Sequence, residues 1–377
     1  MRFRWLLGVF ILVSLALMIA CSSSSSINST TISGMAFTSQ GAMSVETWQV
    51  NLSTGLLTQV GSDLTTGANS MPVAVTFTPD GKSAFVANKG VPPSGTDSIA
   101  TFSVNNDGSL TSSGSNVAAG GPNPVALAID PGGKFLFVAN EGVGGISGTS
   151  SISVYAINGS SITLNSTAPT DDFASDLIVS KTENFLYVTN TIGAPPTLQG
   201  EVTQYSFDAT TGALTKVLSY LTGGTTPAGV TMNAKGQYLY VSNFGSNNIS
   251  GFSIASDGTL SPTPKSPYGM GAGVGPRTIV GNPVLNYLYV AQYSSNQVSG
   301  FLISAASGEL TPTTPATVST GFQPSGLAID PTGVYLYTTN LGAATLSGFH
   351  VNVMTGALGP IQTTFTTPGQ PSAIALH

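Results

Sequence analysis

The chain has 377 residues, a formal net charge of −6, and only 7% Lys, Arg, Asp and Glu, where a soluble chain usually carries about a quarter. Beyond Arg2 and Arg4 there is no cluster of basic residues, which excludes a surface that binds nucleic acid by tracking phosphates. Its 45 glycines and 23 prolines would suit a disordered chain, but regularly alternating Val, Ile, Leu, Phe and Tyr exclude that class.

Residues 1–21 place two arginines ahead of an apolar run from Trp5 to Ala20, the layout of a secretory leader. The run is a little short for a bilayer span. It ends in L-M-I-A-C, which resembles a bacterial lipoprotein signal with Cys21 as the lipidated residue. That resemblance implies a membrane partner through a lipid anchor and an address in the bacterial cell envelope, on the periplasmic side of the outer membrane or at the cell surface. Residues 22–31, rich in serine, read as a flexible tether. Cys21 is the only cysteine, so no disulfide supports the fold.

From residue 32 to residue 377 the chain reads as one domain built on a repeat. Pro122 to Asn140 spells a β-hairpin, with Leu127 and Ile129 in one strand, a turn at Asp130-Pro131-Gly132-Gly133, and Phe135 to Val138 in the next. Related hairpins run from Pro72 to Asn88 and from Pro324 to Asn340, and weaker copies start at Ala174, Pro227 and Pro276. Their closing residues (Asn88, Asn140, Asn190, Asn243, Gln292 and Asn340) lie 48 to 53 positions apart, a period at which small sheets stack radially. A third strand follows each hairpin, and then a turn such as D-G-S-L at 107–110 or T-G-A-L at 355–358. Six repeats are complete. Ile32–Leu57 supplies the later strands of another blade, and Gln370 to Leu376 supplies a first strand without a partner. Pairing these ends closes a ring and removes the open sheet edge. The expected fold class is therefore all-β, a seven-bladed β-propeller of four-stranded antiparallel blades, numbered here one to six in chain order with blade seven shared by the termini.

The hairpin pattern P-x-x-L/V-A-I/F-x-P-x-G-x-x-L/F-Y/F-V-x-N, followed by D/T-G-x-L, resembles the lactonase family of seven-bladed propellers, which includes propeller-type 6-phosphogluconolactonase and cyclase-like proteins. The resemblance covers essentially all of 32–377. G-A-G-V-G-P-R-T at 271–278 is similar to that family's Gly-Pro-Arg-His motif, but Thr278 stands where the histidine belongs. Asn140-Glu141 matches the family's Asn-Glu pair. By this resemblance Arg277 and Glu141 belong to a central pocket. The missing histidine removes the group best suited to acid–base chemistry near neutral pH.

Residue types narrow the chemistry further. The first strand of each blade should line the channel with the residues after its proline, or after Ala174 in blade three: Val73, Val125, Ser175, Ala228, Arg277, Ser325 and Ser372. The next positions are Ala74, Ala126, Asp176, Gly229, Thr278, Gly326 and Ala373. Only Arg277 and Asp176 in this ring carry charge. Lys89, Glu141, Thr191, Phe244, Tyr293 and Leu341 follow the second strands and should reach the same mouth. The catalytic candidates are Arg277, Asp176 and Glu141, with a carboxylate as base and the arginine as oxyanion donor. The ligand-binding candidates are Arg277, Lys89, Tyr293 and Gln323. An arginine in this place has a plainer alternative use, pairing with Asp176 or Glu141. His377 ends the final inner strand and reads as a fraying terminus.

No metal or cofactor motif occurs, and Asp171, Asp172 and Asp176 read as an acidic loop. The chain reads as a monomer. Two functions remain. The poor charge, the missing histidine and the envelope address favour a non-catalytic propeller that binds a glycan, a small ligand or a protein. The alternative is a hydrolase of a sugar lactone with a reduced site.

Overall fold

The computed structural model describes residues 32–91, 95–144, 146–193 and 197–377; the leader, Cys21 and the tether lie outside them. The described strands form seven antiparallel sheets arranged in a ring. The innermost strands are Ser70–Phe77, Pro124–Ile129, Ala174–Val179, Pro227–Met232, Pro276–Gly281, Pro324–Ile329 and Pro371–Leu376. Each contacts the next, and the last contacts the first. Blade seven joins the two ends of the chain: Pro371–Leu376 pairs with Ile32–Ser39, which pairs with Ser44–Asn51 and then with Leu57–Gln59. In blades one, four and seven the outer strand is broken into two short pieces, at Gly114, at Pro264 and Pro267, and at Gly61. These residues weaken or cannot complete a ladder.

There is no single central core. The seven apolar clusters each lie between two neighbouring blades. Second strands such as Phe185–Ile192 therefore bury both faces: Leu186 and Val188 pack toward blade two, while Tyr187 packs toward blade four. This is why they read as continuous apolar runs, whereas strands with one solvated face alternate.

The two recurring sequence signals meet in space. In blades three to six the second-strand tyrosine donates its hydroxyl to the glycine carbonyl of the next blade's Gly-x-Leu turn. The bonds run from Tyr187 to Gly258 (2.7 Å), Tyr240 to Gly308 (2.7 Å), Tyr289 to Gly356 (2.9 Å) and Tyr337 to Gly55 (2.8 Å). Desolvation raises all four hydroxyl pKa values, so they remain donors. The closing Asn is also a structural fastener; Asn243 Nδ2 donates to Asn248 Oδ1 and Ser250 Oγ, both at 2.7 Å. The Asp of the turn accepts backbone amides, with Asp130 Oδ1 taking those of Lys134 and Phe135 at 2.7 and 2.6 Å.

The last residue does not fray. The His377 amide donates to the Gly34 carbonyl at 3.0 Å, and its ring packs on Phe77 at 4.3 Å between centroids. It lines a cavity of about 400 Å³ away from the channel mouth. A side chain on Gly34 would meet the His377 imidazole, which would have to move to admit it.

Blade seven also holds a charge that the sequence pattern did not mark. Glu46, on Ser44–Asn51, is fully buried, and among the described residues neither carboxylate oxygen has a hydrogen-bond partner. Burial, with Asp63 adding to it, pushes its pKa up to about 8; the Trp48 indole N–H opposes this without reaching hydrogen-bond geometry.

Candidate active site

The inner strands surround a cavity of about 940 Å³, within the size range of small-molecule sites. Its wall is set by a bulge that recurs at the residue after the hairpin proline. The ladder shifts register between Pro72 and Ala74, Pro124 and Ala126, Ala174 and Asp176, Pro227 and Gly229, and Pro324 and Gly326. In a regular strand neighbouring side chains point to opposite faces. A bulge leaves one residue unpaired and turns it, so both members of pairs such as Val125 and Ala126 line the cavity. In blade five the irregularity is longer, running from Pro276 to Ile279, and it carries both Arg277 and Thr278 into the wall.

Four charged side chains line the cavity: Lys89, Glu141, Asp176 and Arg277. Lys89 Nζ and Glu141 Oε2 form an ion pair at 2.8 Å across the seam of blades one and two. In a ring of seven this seam stands opposite blade five, which carries Arg277. The Asp176 carboxylate is held by backbone, with the Leu177 amide donating to Oδ1 at 2.8 Å and the Val230 amide of blade four to Oδ2 at 2.9 Å. Desolvation pushes its pKa up to about 6, and these two amides limit the rise. Part of its surface still opens to the channel.

Arg277 has no ion pair among the described residues, so the expected alternative use with Asp176 or Glu141 is not adopted. Its guanidinium carbon lies 5.1 Å from the Tyr293 ring centroid, and Phe244 meets Tyr293 edge-on at 6.3 Å. Burial lowers the arginine pKa and Tyr293 raises it; an arginine remains charged at neutral pH regardless. Between Asp176 and Arg277, blade four lines the cavity with Thr226, Pro227 and Ala228; Gly229, expected in the ring, is not part of the lining. A side chain at Gly229 would come within 2.7 Å of the Arg277 carbonyl, so that position favours glycine.

The remaining candidates fall elsewhere. Tyr293 lies beside Arg277 but outside the lining, and Phe244, Leu341 and Gln323 also lie outside it. Gln323 adopts a left-handed conformation (φ 58°), and its amide donates to Asn296 Oδ1 at 2.8 Å in the turn before the inner strand. Thr278 Oγ1 donates to the Ser325 carbonyl and is already engaged. Gln40 is an additional lining residue. It follows Ile32–Ser39, the second strand of the split blade, in the place Lys89 holds in blade one, so the repeat register could have found it. The acidic loop divides: Asp171 pairs with Lys216 at 2.6 Å and Asp172 accepts the Gly148 amide at 2.7 Å. Among the described residues no group of three or more His, Cys, Asp or Glu side chains is placed to hold a metal.

A closed ring of seven four- and five-stranded blades around a central channel defines a seven-bladed propeller. This chain belongs to the Lactonase, 7-bladed beta-propeller family, whose model matches residues 42–171, 143–278, 228–322 and 279–376. Among solved structures it is similar to the periplasmic gluconolactonase PpgL of Pseudomonas aeruginosa, with 18% identity over 92% of this chain and 99% of that one and a TM-score of 0.75. It is also similar to a candidate 6-phosphogluconolactonase of Bacteroides uniformis, with 16% identity over 92% and 99% of the two chains and a TM-score of 0.77. A protein of unknown function from Desulfotomaculum acetoxidans shares 16% identity over 91% and 98%, with a TM-score of 0.69. At these identities the likeness is one of fold. None of the curated proteins matches the chain.

Proposed function

We propose that the channel hydrolyses a neutral sugar lactone, with Asp176 as the base and Arg277 as the electrostatic donor. The observation that carries this reading is an enclosed guanidinium without a carboxylate partner, in one cavity with a carboxyl group whose pKa is about 6. That value suits a general base working near neutral pH. In the reaction Asp176 accepts a proton as a water oxygen bonds to the lactone carbonyl carbon. Arg277 stabilises the negative charge that builds on the carbonyl oxygen. The ring carbon–oxygen bond then breaks, and the departing oxygen takes the proton back from Asp176. The new carboxylic acid ionises, releasing one proton to solvent. The amides of Leu177 and Val230 keep the Asp176 carboxylate oriented throughout.

Charge selects the substrate class. Two positive and two negative side chains line the cavity, and Lys89 is already matched by Glu141. A phosphate dianion would have Arg277 alone or would have to break that pair, whereas a neutral lactone needs neither. The leader and Cys21 support placing this activity on a lipid-anchored protein of the bacterial envelope. A non-catalytic binding role is the second reading, and Thr278 favours it, because the residue in the histidine's place is spent on the Ser325 carbonyl.

The test is turnover of neutral and phosphorylated sugar lactones by the wild-type protein and by Arg277→Ala. Hydrolysis of a neutral lactone above the spontaneous rate, falling about a hundredfold or more in the variant, is expected for loss of an oxyanion donor. A folded wild-type protein inert on every lactone would leave the binding role.

A further inference from the structure

We infer that the channel is also a monocarboxylate site: Arg277 holds the open-chain polyhydroxy acid that hydrolysis releases, and the protein is inhibited by its own product. The inference rests on the lactonase reading for the origin of the acid, but not for the binding itself.

Three of the four charged side chains on the cavity wall are already engaged. Lys89 is committed to Glu141 on the far wall, and both Asp176 oxygens accept backbone amides. Among the described residues the Arg277 guanidinium has no ion pair and packs on the Tyr293 ring, and a ring face engages a guanidinium without using its N–H donors. Those donors form a planar fork that fits a carboxylate in bidentate fashion. Arg277 is also partly desolvated, which strengthens any anion contact made there.

Chemistry then separates substrate from product. The lactone is uncharged and offers Arg277 a single carbonyl oxygen. The hydroxy acid carries a full negative charge on two coplanar oxygens and keeps the same hydroxyl groups. A charge-assisted bond is about twice as strong as a neutral one. The group that stabilises the transition-state oxyanion therefore binds the ground-state product more tightly than the substrate. Small neighbours leave room for it: Ala228, Ser325 and Gly326 line the cavity on both sides of Arg277.

The probes are gluconate and sorbitol, which share a six-carbon polyol chain and differ in the carboxylate. Calorimetric titration of the purified protein should give saturable gluconate binding and at least about tenfold weaker sorbitol binding. Arg277→Ala should lose gluconate binding, and Arg277→Lys, which keeps the charge without the fork, should retain an intermediate affinity; circular dichroism and the melting midpoint verify that both fold. In the lactone assay gluconate should raise KM and leave kcat unchanged. Sorbitol binding as tightly as gluconate, or gluconate binding that persists in Arg277→Ala, would overturn the inference. Gluconate binding without any lactone turnover would sustain the carboxylate site but defeat the lactonase reading and the product inhibition that rests on it; turnover without gluconate binding would overturn the carboxylate site and leave the lactonase reading standing.

Discussion

Replacing Glu46 with glutamine isolates the electrostatic cost of a buried carboxylate in the blade that closes the ring. Glu46 is fully buried without a hydrogen-bond partner among the described residues, and burial moves its pKa from 4.5 to about 8. A raised folded-state pKa means that the neutral form is the one the fold favours. The associated stability is complete below pH 4.5 and is lost as the pH rises through 8. At about 1.4 kcal/mol per pKa unit, the full loss is about 5 kcal/mol, of which about 3 kcal/mol falls between pH 6 and 9. Glutamine has the same shape and no charge, so it should match the protonated wild type at low pH and lose none of this stability at high pH. Urea denaturation at pH 6 and pH 9 measures the difference directly. The gap between variant and wild type should widen by about 3 kcal/mol over that range. Parallel pH profiles for the two proteins would refute the reasoning, since they would mean that Glu46 ionises as readily folded as unfolded.

Two further substitutions probe the fastening of the blades and the space in the channel. Tyr240→Phe removes the hydroxyl that bonds to Gly308 and keeps the ring between blades four and five; unfolding free energy should fall by about 1 kcal/mol, and by more if the carbonyl is left unpaired. Ala228→Phe places a large side chain between Asp176 and Arg277 on the cavity wall. Lactone turnover and gluconate binding should both disappear while the circular dichroism spectrum remains that of the wild type.

The fold was legible because the repeated residues have mechanical roles. The tyrosine of the second strand's Leu-Tyr pair and the glycine of the Gly-x-Leu turn recur together because one donates a hydrogen bond to the other across each seam in blades three to six. The closing Asn and the turn Asp recur because they satisfy neighbouring polar atoms. Even the split blade could be read, since each terminus carried the strands the other lacked. The inner-strand positions lining the channel could be read as well, apart from Gly229, because they sit at a fixed place after each proline or, in blade three, after Ala174.

The state of each site residue was not legible. A sequence repeat does not report that the bulge in blade five is longer and turns Arg277 and Thr278 together. Nor does it report that Glu141 takes Lys89 as partner while the Asp176 oxygens accept main-chain amides. Those two choices leave Arg277 without an ion pair. Phe244, Tyr293 and Leu341 hold the same register as Lys89 and Glu141, yet they lie outside the lining, because the aromatic pair packs together beside the arginine. The closing histidine was misread for a similar reason: terminal position suggests fraying, but here the terminus completes a blade.

The most direct test of the central claim is the pH–rate profile for a neutral sugar lactone, measured on wild type, Asp176→Asn and Glu141→Gln. With Asp176 as base, kcat/KM in the wild type should fall as the pH drops through about 6. Asp176→Asn should abolish that limb together with most of the activity. Glu141→Gln frees Lys89 but leaves the base intact, so it should retain the same limb. A wild-type profile that is flat across pH 6, or an Asp176→Asn variant with undiminished turnover, would contradict the account.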